Sequence, residues 1–382
     1  MAAAFRPSCP PAAFFPGSLT ARSGRRVPQS LAYAAFAPVL TFRTDTADFA
    51  GGNFWDGRAT GLITGSAAAD QAMVPLTGPT EMALPDAACA VWRVSQAPYG
   101  ATFSKVWGAQ SLAITWPSDT ASVCAKPNNG RANQTPLALS ADDRTRATAA
   151  VQQIGQTIET FEASPLASPF TSKFDAVSAG QARFSAEERA GFELFTGRAN
   201  CSTCHAVDGS KPLLTDFTSA NIGVPRNPSD PYLTENAPDS HGYVANPAGP
   251  AYVDEGLGGF LASDDNTNQQ WKAAAPQFMG AFQVATLRNV AARPRPGFIR
   301  TYTHNGFFKD LKSLVHFYNT RDVLPRCTGT EGIGVTCWPA PEEPANVNQA
   351  RMGNLRLSNT QEQELVAFMR TLTDGYSPPH VH

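Results

Sequence analysis

Residues 185–205 read Ser185-Ala-Glu-Glu188-Arg-Ala-Gly-Phe192-Glu-Leu-Phe195-Thr-Gly-Arg-Ala-Asn-Cys201-Ser-Thr-Cys204-His205. Ser185 followed three residues later by Glu188 is a capping-box pattern: hydroxyl and carboxylate each take up a free backbone N–H at a helix start. The short helix it opens brings Phe192 and Phe195 to one face and runs directly into Cys201. Two thiols at Cys-x-x-Cys spacing add to the two vinyl groups of a haem, and the adjacent His supplies a nitrogen to iron. A tetrahedral zinc site would need a second Cys or His pair at ligand spacing, and Cys327 and Cys337 are too far apart to supply it. Cys201, Cys204 and His205 therefore predict one covalent c-type haem and redox chemistry outside the cytoplasm.

Downstream, residues 206–285 are rich in Gly, Pro, Asn and Asp and read mostly as loop. The helix expected after Asp310 places Leu311, Leu314, Val315 and Tyr318 on one inward face, with His316 off it. Haem iron needs a sixth ligand or an open face. Tyr318 points the right way, although the stripe alone favours an ordinary core aromatic. Met279 and His304 are the other candidates. A last helix starts at the capping box Ser358-Asn-Thr-Gln361 and carries Leu365, Phe368, Met369 and Leu372 as an apolar stripe. A helix before the haem cysteines crossed by a C-terminal amphipathic helix is how small cytochrome c domains enclose haem.

Upstream, Asp86 caps a helix to Gln96, residues 115–140 read as loop, and a helix from about Arg144 to Glu162 shows Val151, Ile154, Ile158 and Phe161 on one face. Residues 164–173 form the expected connector between an N-terminal unit, 1–170, and a C-terminal unit, 175–382. The fold class is mainly α, with two cytochrome c-like domains. The 382 residues suffice for two cores, and 42% hydrophobic residues mark a folded chain. A net charge of -2 gives no electrostatic case for nucleic acid or an anionic membrane, and the longest apolar stretches are too short to span one. Of the seven cysteines, Cys89 pairs with Cys124 and Cys327 with Cys337 in one reading, leaving Cys9 over; all five as free thiols is the other.

Several further stretches, in order, carry a family resemblance: Phe54-Trp-Asp-Gly-Arg58, Gln71-Ala-Met-Val-Pro75 with Glu81-Met82, Ser172-Lys-Phe-Asp175, Thr286-Leu-Arg-Asn-Val290, His304-Asn-Gly306 and His316-Phe-Tyr-Asn319. With the Cys-x-x-Cys-His they make the chain resemble the bacterial di-haem cytochrome c peroxidase and MauG family along nearly its whole length. The resemblance implies a C-terminal haem that relays electrons and a second, N-terminal haem that reacts with hydrogen peroxide. It implies Tyr318 as the relay's distal ligand, where most peroxidases carry methionine and MauG tyrosine. Trp55 would lie between the haems, and Gln71, Pro75 and Glu81 would flank the peroxide, with Glu81 as its acid–base group. Arg288 would meet a haem propionate.

The implied function is a periplasmic haem oxidoreductase. It would reduce peroxide with electrons from a small donor protein, a cytochrome c or cupredoxin, or oxidise a protein substrate through high-valent haem. The chain departs from the family at one major point. It has no Cys-x-x-Cys-His upstream of Trp55 and no histidine before His205. The calcium site implied between the domains is also altered: Val27 stands for its asparagine, and Ile299 and Thr301 for its later Thr and Pro, leaving backbone carbonyls as donors. Residues 1–30 show no apolar run ending in a cleavage site, and residues 1–26, with Arg22, Arg25 and Arg26 among Ala and Pro, show no hydrophobic period. The expectation is a wrong start or an upstream frameshift, with a leader and a second haem motif in the coding DNA before Met1. The rivals are a single-haem electron carrier with a docking domain and a non-functional fragment.

Overall fold

The computed structural model describes residues 14, 16–130, 136–293, 298 and 300–377. Cys9 and Ile299 lie outside them. The described chain is mostly helical: α1 Ala67–Thr77, α2 Ala88–Gln96, α3 Gly100–Trp107, α4 Thr120–Cys124, α5 Ala141–Ala163, α6 Lys173–Ser178, α7 Ala186–Thr196, α8 Gly256–Ala262, α9 Gln269–Ala274, α10 Leu311–Thr320 and α11 Asn359–Arg370. Two antiparallel ribbons complete it. β1 Thr41–Arg43 pairs with β2 Asp48–Ala50, and β3 Ser219–Ala220 with β4 Phe282–Gln283. None of the described helices is long and apolar enough to cross a membrane.

The C-terminal core is the crossing of α7 and α11. Both helices open with complete capping boxes, Ser185 with Glu188 and Ser358 with Gln361. A Cβ on Gly191 would stand 1.9 Å from the Glu364 carbonyl oxygen, so the backbones meet at a contact that only glycine allows. Around it Phe368 gathers Phe192, Phe195 and Phe174 with ring centroids 5.3, 5.0 and 5.9 Å away. Each such ring stabilises the fold by about 1.5–3 kcal/mol when fully buried, so this cluster anchors the motif that follows α7.

The N-terminal core packs α5 on α1 and α2 around Leu76, Leu84, Val91, Val151 and Ile154. Disulfides join Cys89 to Cys124 and Cys327 to Cys337, the pairing reading of the sequence rather than the free-thiol one. Phe161 is exposed, against expectation, because the buried stripe of α5 continues through Gly155 to Glu162. Helices α1, α3, α4, α6, α8 and α9 escaped the sequence reading: α1 is largely alanine with a proline inside, and α4 is one short turn in a polar stretch.

Glu162 is buried with no hydrogen-bond partner on either carboxylate oxygen, and burial with the nearby Glu159 pushes it up to about 7. The folded state then keeps a proton that the unfolded chain has already lost, so stability falls as pH rises from the ordinary carboxylate range toward 7. Glu162→Gln is expected to raise Tm at pH 8 and to change it little at pH 5. Circular dichroism melts at the two pH values check this, and equal shifts would exclude it.

Of the described residues before Pro28, several are packed although the stretch shows no hydrophobic period. Arg22 is 1% exposed; it donates to Asp239 at 2.7 Å, to the Pro79 and Asn128 carbonyls and to Asn129 at 2.8 Å. An anchor made of buried arginines has no hydrophobic period to detect. Tyr33 ties the connector: its hydroxyl donates to Asp374 and accepts from the Phe170 N–H at 2.9 Å.

Candidate haem and peroxide site

A cavity of about 800 Å³ runs through the molecule, with His205, Cys201, Cys204 and Tyr318 in its lining together with Trp55, Gln71 and Glu81. The residues that sequence reasoning assigned to separate domains thus share one continuous space.

After α7 the chain turns through Asn200 in a left-handed conformation into a single 3-10 turn, Cys201–Thr203. The His205 N–H closes it by donating to the Cys201 carbonyl at 2.9 Å. His205 Nδ1 lies 2.9 Å from the Leu214 carbonyl, which can only accept. The proton therefore sits on Nδ1 and the Nε2 lone pair is left for a metal. Burial lowers the His205 pKa and so keeps the ring neutral, the form that ligates. No sequence signal pointed to Leu214, because the contact uses only its backbone. The Cys201 thiol is pushed up to about 12 by burial, and Arg351 Nη1 stands 3.5 Å from Cys204 Sγ.

α10 supplies the other wall. Asp310 caps it, Leu311 and Val315 are buried, and Leu314 and Tyr318 join them along the cavity, as the stripe predicts. Burial and the nearby Cys201 and Cys204 thiols raise the Tyr318 phenol. His316 turns away to Glu362 at 2.8 Å. Met279 is not in the lining; its Sδ packs against Gly258. His304 does line the cavity, buried and stacked on Phe282 with centroids 3.5 Å apart. Arg288 lines it too, but its guanidinium is held by Asp175 at 2.8 and 2.9 Å and donates from Nε to the Pro212 carbonyl at 2.7 Å.

At the junction, Trp55 Nε1 donates to the Val27 carbonyl at 2.8 Å, and the Val27 N–H donates to the His304 carbonyl at 2.8 Å. Beyond it lies the end formed by α1 and the loop after it. Pro75 lies within α1 and has no N–H to give to the carbonyl of Gln71, four residues earlier. Gln71, Val74 and the run Gly78–Glu81 line the cavity here; Pro75 is behind them. Burial pushes the Glu81 carboxyl up, and Arg58 draws it partly back.

These residues fit a haem at one end. His205, with its free Nε2, and two unpaired thiols would hold it, with Tyr318 also in the lining. At the other end the distal residues are gathered, but the described residues offer no second thiol pair there to attach a haem. Of the calcium donors that the sequence implied, Val27 contributes a hydrocarbon side chain and Ile299 lies outside the described residues; no group of three or more His, Cys, Asp or Glu suited to a metal occurs among the described residues.

The sequence profile of the family described as di-haem cytochrome c peroxidase matches residues 12–183. The methylamine utilization protein MauG of Paracoccus denitrificans is 30% identical over 363 residues, 93% of this chain and 76% of that protein. The cytochrome-c peroxidase IdrP1 of Denitromonas iodatirespirans is 27% identical over 55% of this chain and 46% of its own length. Among solved structures, the diheme peroxidase BthA of Burkholderia thailandensis aligns with a TM-score of 0.66 at 26% identity, over 95% of this chain and 75% of that one. With MauG matched over most of both lengths and the haem-binding geometry in place, the chain belongs to the di-haem cytochrome c peroxidase and MauG family.

Proposed function

We propose that this protein is a periplasmic peroxidase-type oxidoreductase that takes electrons from a small redox protein at the His205 end and delivers them past Trp55 to peroxide at the Gln71–Glu81 end. The observation that carries this reading is the single cavity lined by His205, Trp55, Gln71 and Glu81. A haem held by Cys201, Cys204 and His205 would supply the one-electron centre. Trp55, pinned through its indole N–H, is an aromatic set between the two ends. Gln71 orients the peroxide by hydrogen bonding. Glu81, its carboxyl raised by burial, is the group at that end able to take up a proton from peroxide and to return one to a product oxygen. Two electrons and two further protons complete reduction to two waters. Two disulfides and a c-type haem motif suit an oxidising compartment.

Peroxide-dependent oxidation of a reduced small cytochrome, with haem counted per chain, tests the proposal. Turnover that needs peroxide supports it. One haem per chain and no peroxide dependence would leave an electron carrier, a reading favoured by the single Cys-x-x-Cys-His.

Tyr318, which lines the same cavity as His205, would be a second protein ligand to the haem iron. A phenolate is a hard anionic donor that favours oxidised iron and lowers its potential. Tyr318→Phe is expected to shift the ferric spectrum toward high spin, and Tyr318→Met to raise the potential. An unchanged spectrum in Tyr318→Phe would return the residue to the core.

A further inference from the structure

The segment Arg26–Val27 passes between Trp55 and the loop that carries His304. Its two backbone hydrogen bonds, Trp55 Nε1 to Val27 O and Val27 N to His304 O, are both 2.8 Å. Each of the two carbonyl oxygens at this crossing thus already accepts one hydrogen bond. A calcium ion needs six to eight oxygens. The side chain facing this space is valine, and its Cγ2 would be 2.8 Å from a Cβ on Gly306, beside Thr301 Oγ1 at 3.2 Å. Hydrocarbon fills that spot.

The charge around the crossing also opposes a second cation. Arg26 is held by Asp254 through Nε at 2.7 Å and Nη2 at 2.6 Å, and its Nη1 pairs with Asp56 at 2.5 Å. All three side chains are at most 8% exposed. Asp56 is further paired with Arg58 at 2.9 Å and Arg25 at 3.3 Å. Three guanidinium groups thus face two carboxylates. The next acid outward, Glu342, is itself paired with Arg226 at 3.6 Å and lies 3.9 Å from His304 Nε2. One fixed cation is already clamped between acids of the two halves of the chain, next to the residue that follows Trp55.

We infer that this junction is metal-free, with Arg26 doing the bridging that a calcium ion would do and so keeping the Val27 carbonyl on the Trp55 indole. Arg26 is a positioning residue for Trp55. The inference does not depend on the peroxidase reading, since calcium binding and the state of one indole N–H are measured without turnover.

The test uses the purified, reduced haem protein, labelled with nitrogen-15 and stripped with EGTA. The Trp55 indole signal is identified by its loss in Trp55→Phe. Calorimetric titration with calcium chloride is expected to show no stoichiometric site. Hydrogen exchange at the Trp55 indole should be equally slow in EGTA and in calcium, because the Val27 carbonyl holds it in both. Arg26→Gln should speed that exchange about tenfold or more, as local opening becomes easier, and Arg26→Lys should restore part of the protection. One-to-one calcium binding, or faster exchange in EGTA, would overturn the inference. So would unchanged exchange in Arg26→Gln. Should Arg26→Gln fail to fold, the chelation experiment on the unmodified protein still decides.

Discussion

Replacing Cys201 and Cys204 together by alanine is expected to remove all haem stain from the polypeptide in a denaturing gel. Thioether bonds survive unfolding, whereas a haem held only by His205 and packing is lost when the fold is. The chain has no second Cys-x-x-Cys-His to retain the stain. The double variant should also be less stable than the parent. The wall of Leu311, Leu314, Val315, Leu365 and Met369 would then face space that nothing tethered fills, and interiors are close-packed. Stain that persists in the double variant would place the attachment elsewhere.

The second large effect is expected at Glu81. Glu81→Gln keeps the shape but cannot take up a proton, and loss of a general acid–base group lowers turnover by about 10²–10⁴-fold. The spectrum of haem at His205 should not change. Burial raises the Glu81 carboxyl, and the ionised form must accept the first proton. The acidic limb of kcat/KM is therefore expected above the ordinary glutamate range and absent in Glu81→Gln. Arg58 draws the carboxyl down, so Arg58→Met should move that limb to higher pH. Peroxide turnover across a pH series measures both, and an unchanged rate in Glu81→Gln would remove Glu81 from the chemistry.

What could be read in the sequence was what repeats along it. The capping boxes at Ser185 and Ser358, the Asp310 cap and the α10 stripe all sit where pattern put them, because local hydrogen bonding and one apolar face specify them. The Cys-x-x-Cys-His and the inward position of Tyr318 followed from the same patterns. What was hidden is held by contacts without a period. Leu214 acts through its carbonyl, and Arg22 and Arg26 find acids more than two hundred positions away. Arg288 was marked through the resemblance as a partner for a haem propionate, but its pairing with Asp175 was not legible. Helix α1 was missed although Gln71 within it was found, since resemblance marks single residues where an alanine-rich, proline-containing helix shows no stripe.

The glycine contact between α7 and α11 also bears on how the protein is made. Gly191 meets Glu364 only after everything from residue 197 to residue 358 has been synthesised. The loop that closes is long, and contacts of high sequence separation form late. Cys201 and Cys204 follow directly on α7, so they leave the ribosome long before α11 exists to cover that helix. An enzyme that joins haem to the two thiols would thus meet an open, flexible chain. Docking of α11 then acts as a closing step that seals the finished haem in, and a residue larger than glycine at 191 would hold back that sealing rather than the ligation itself.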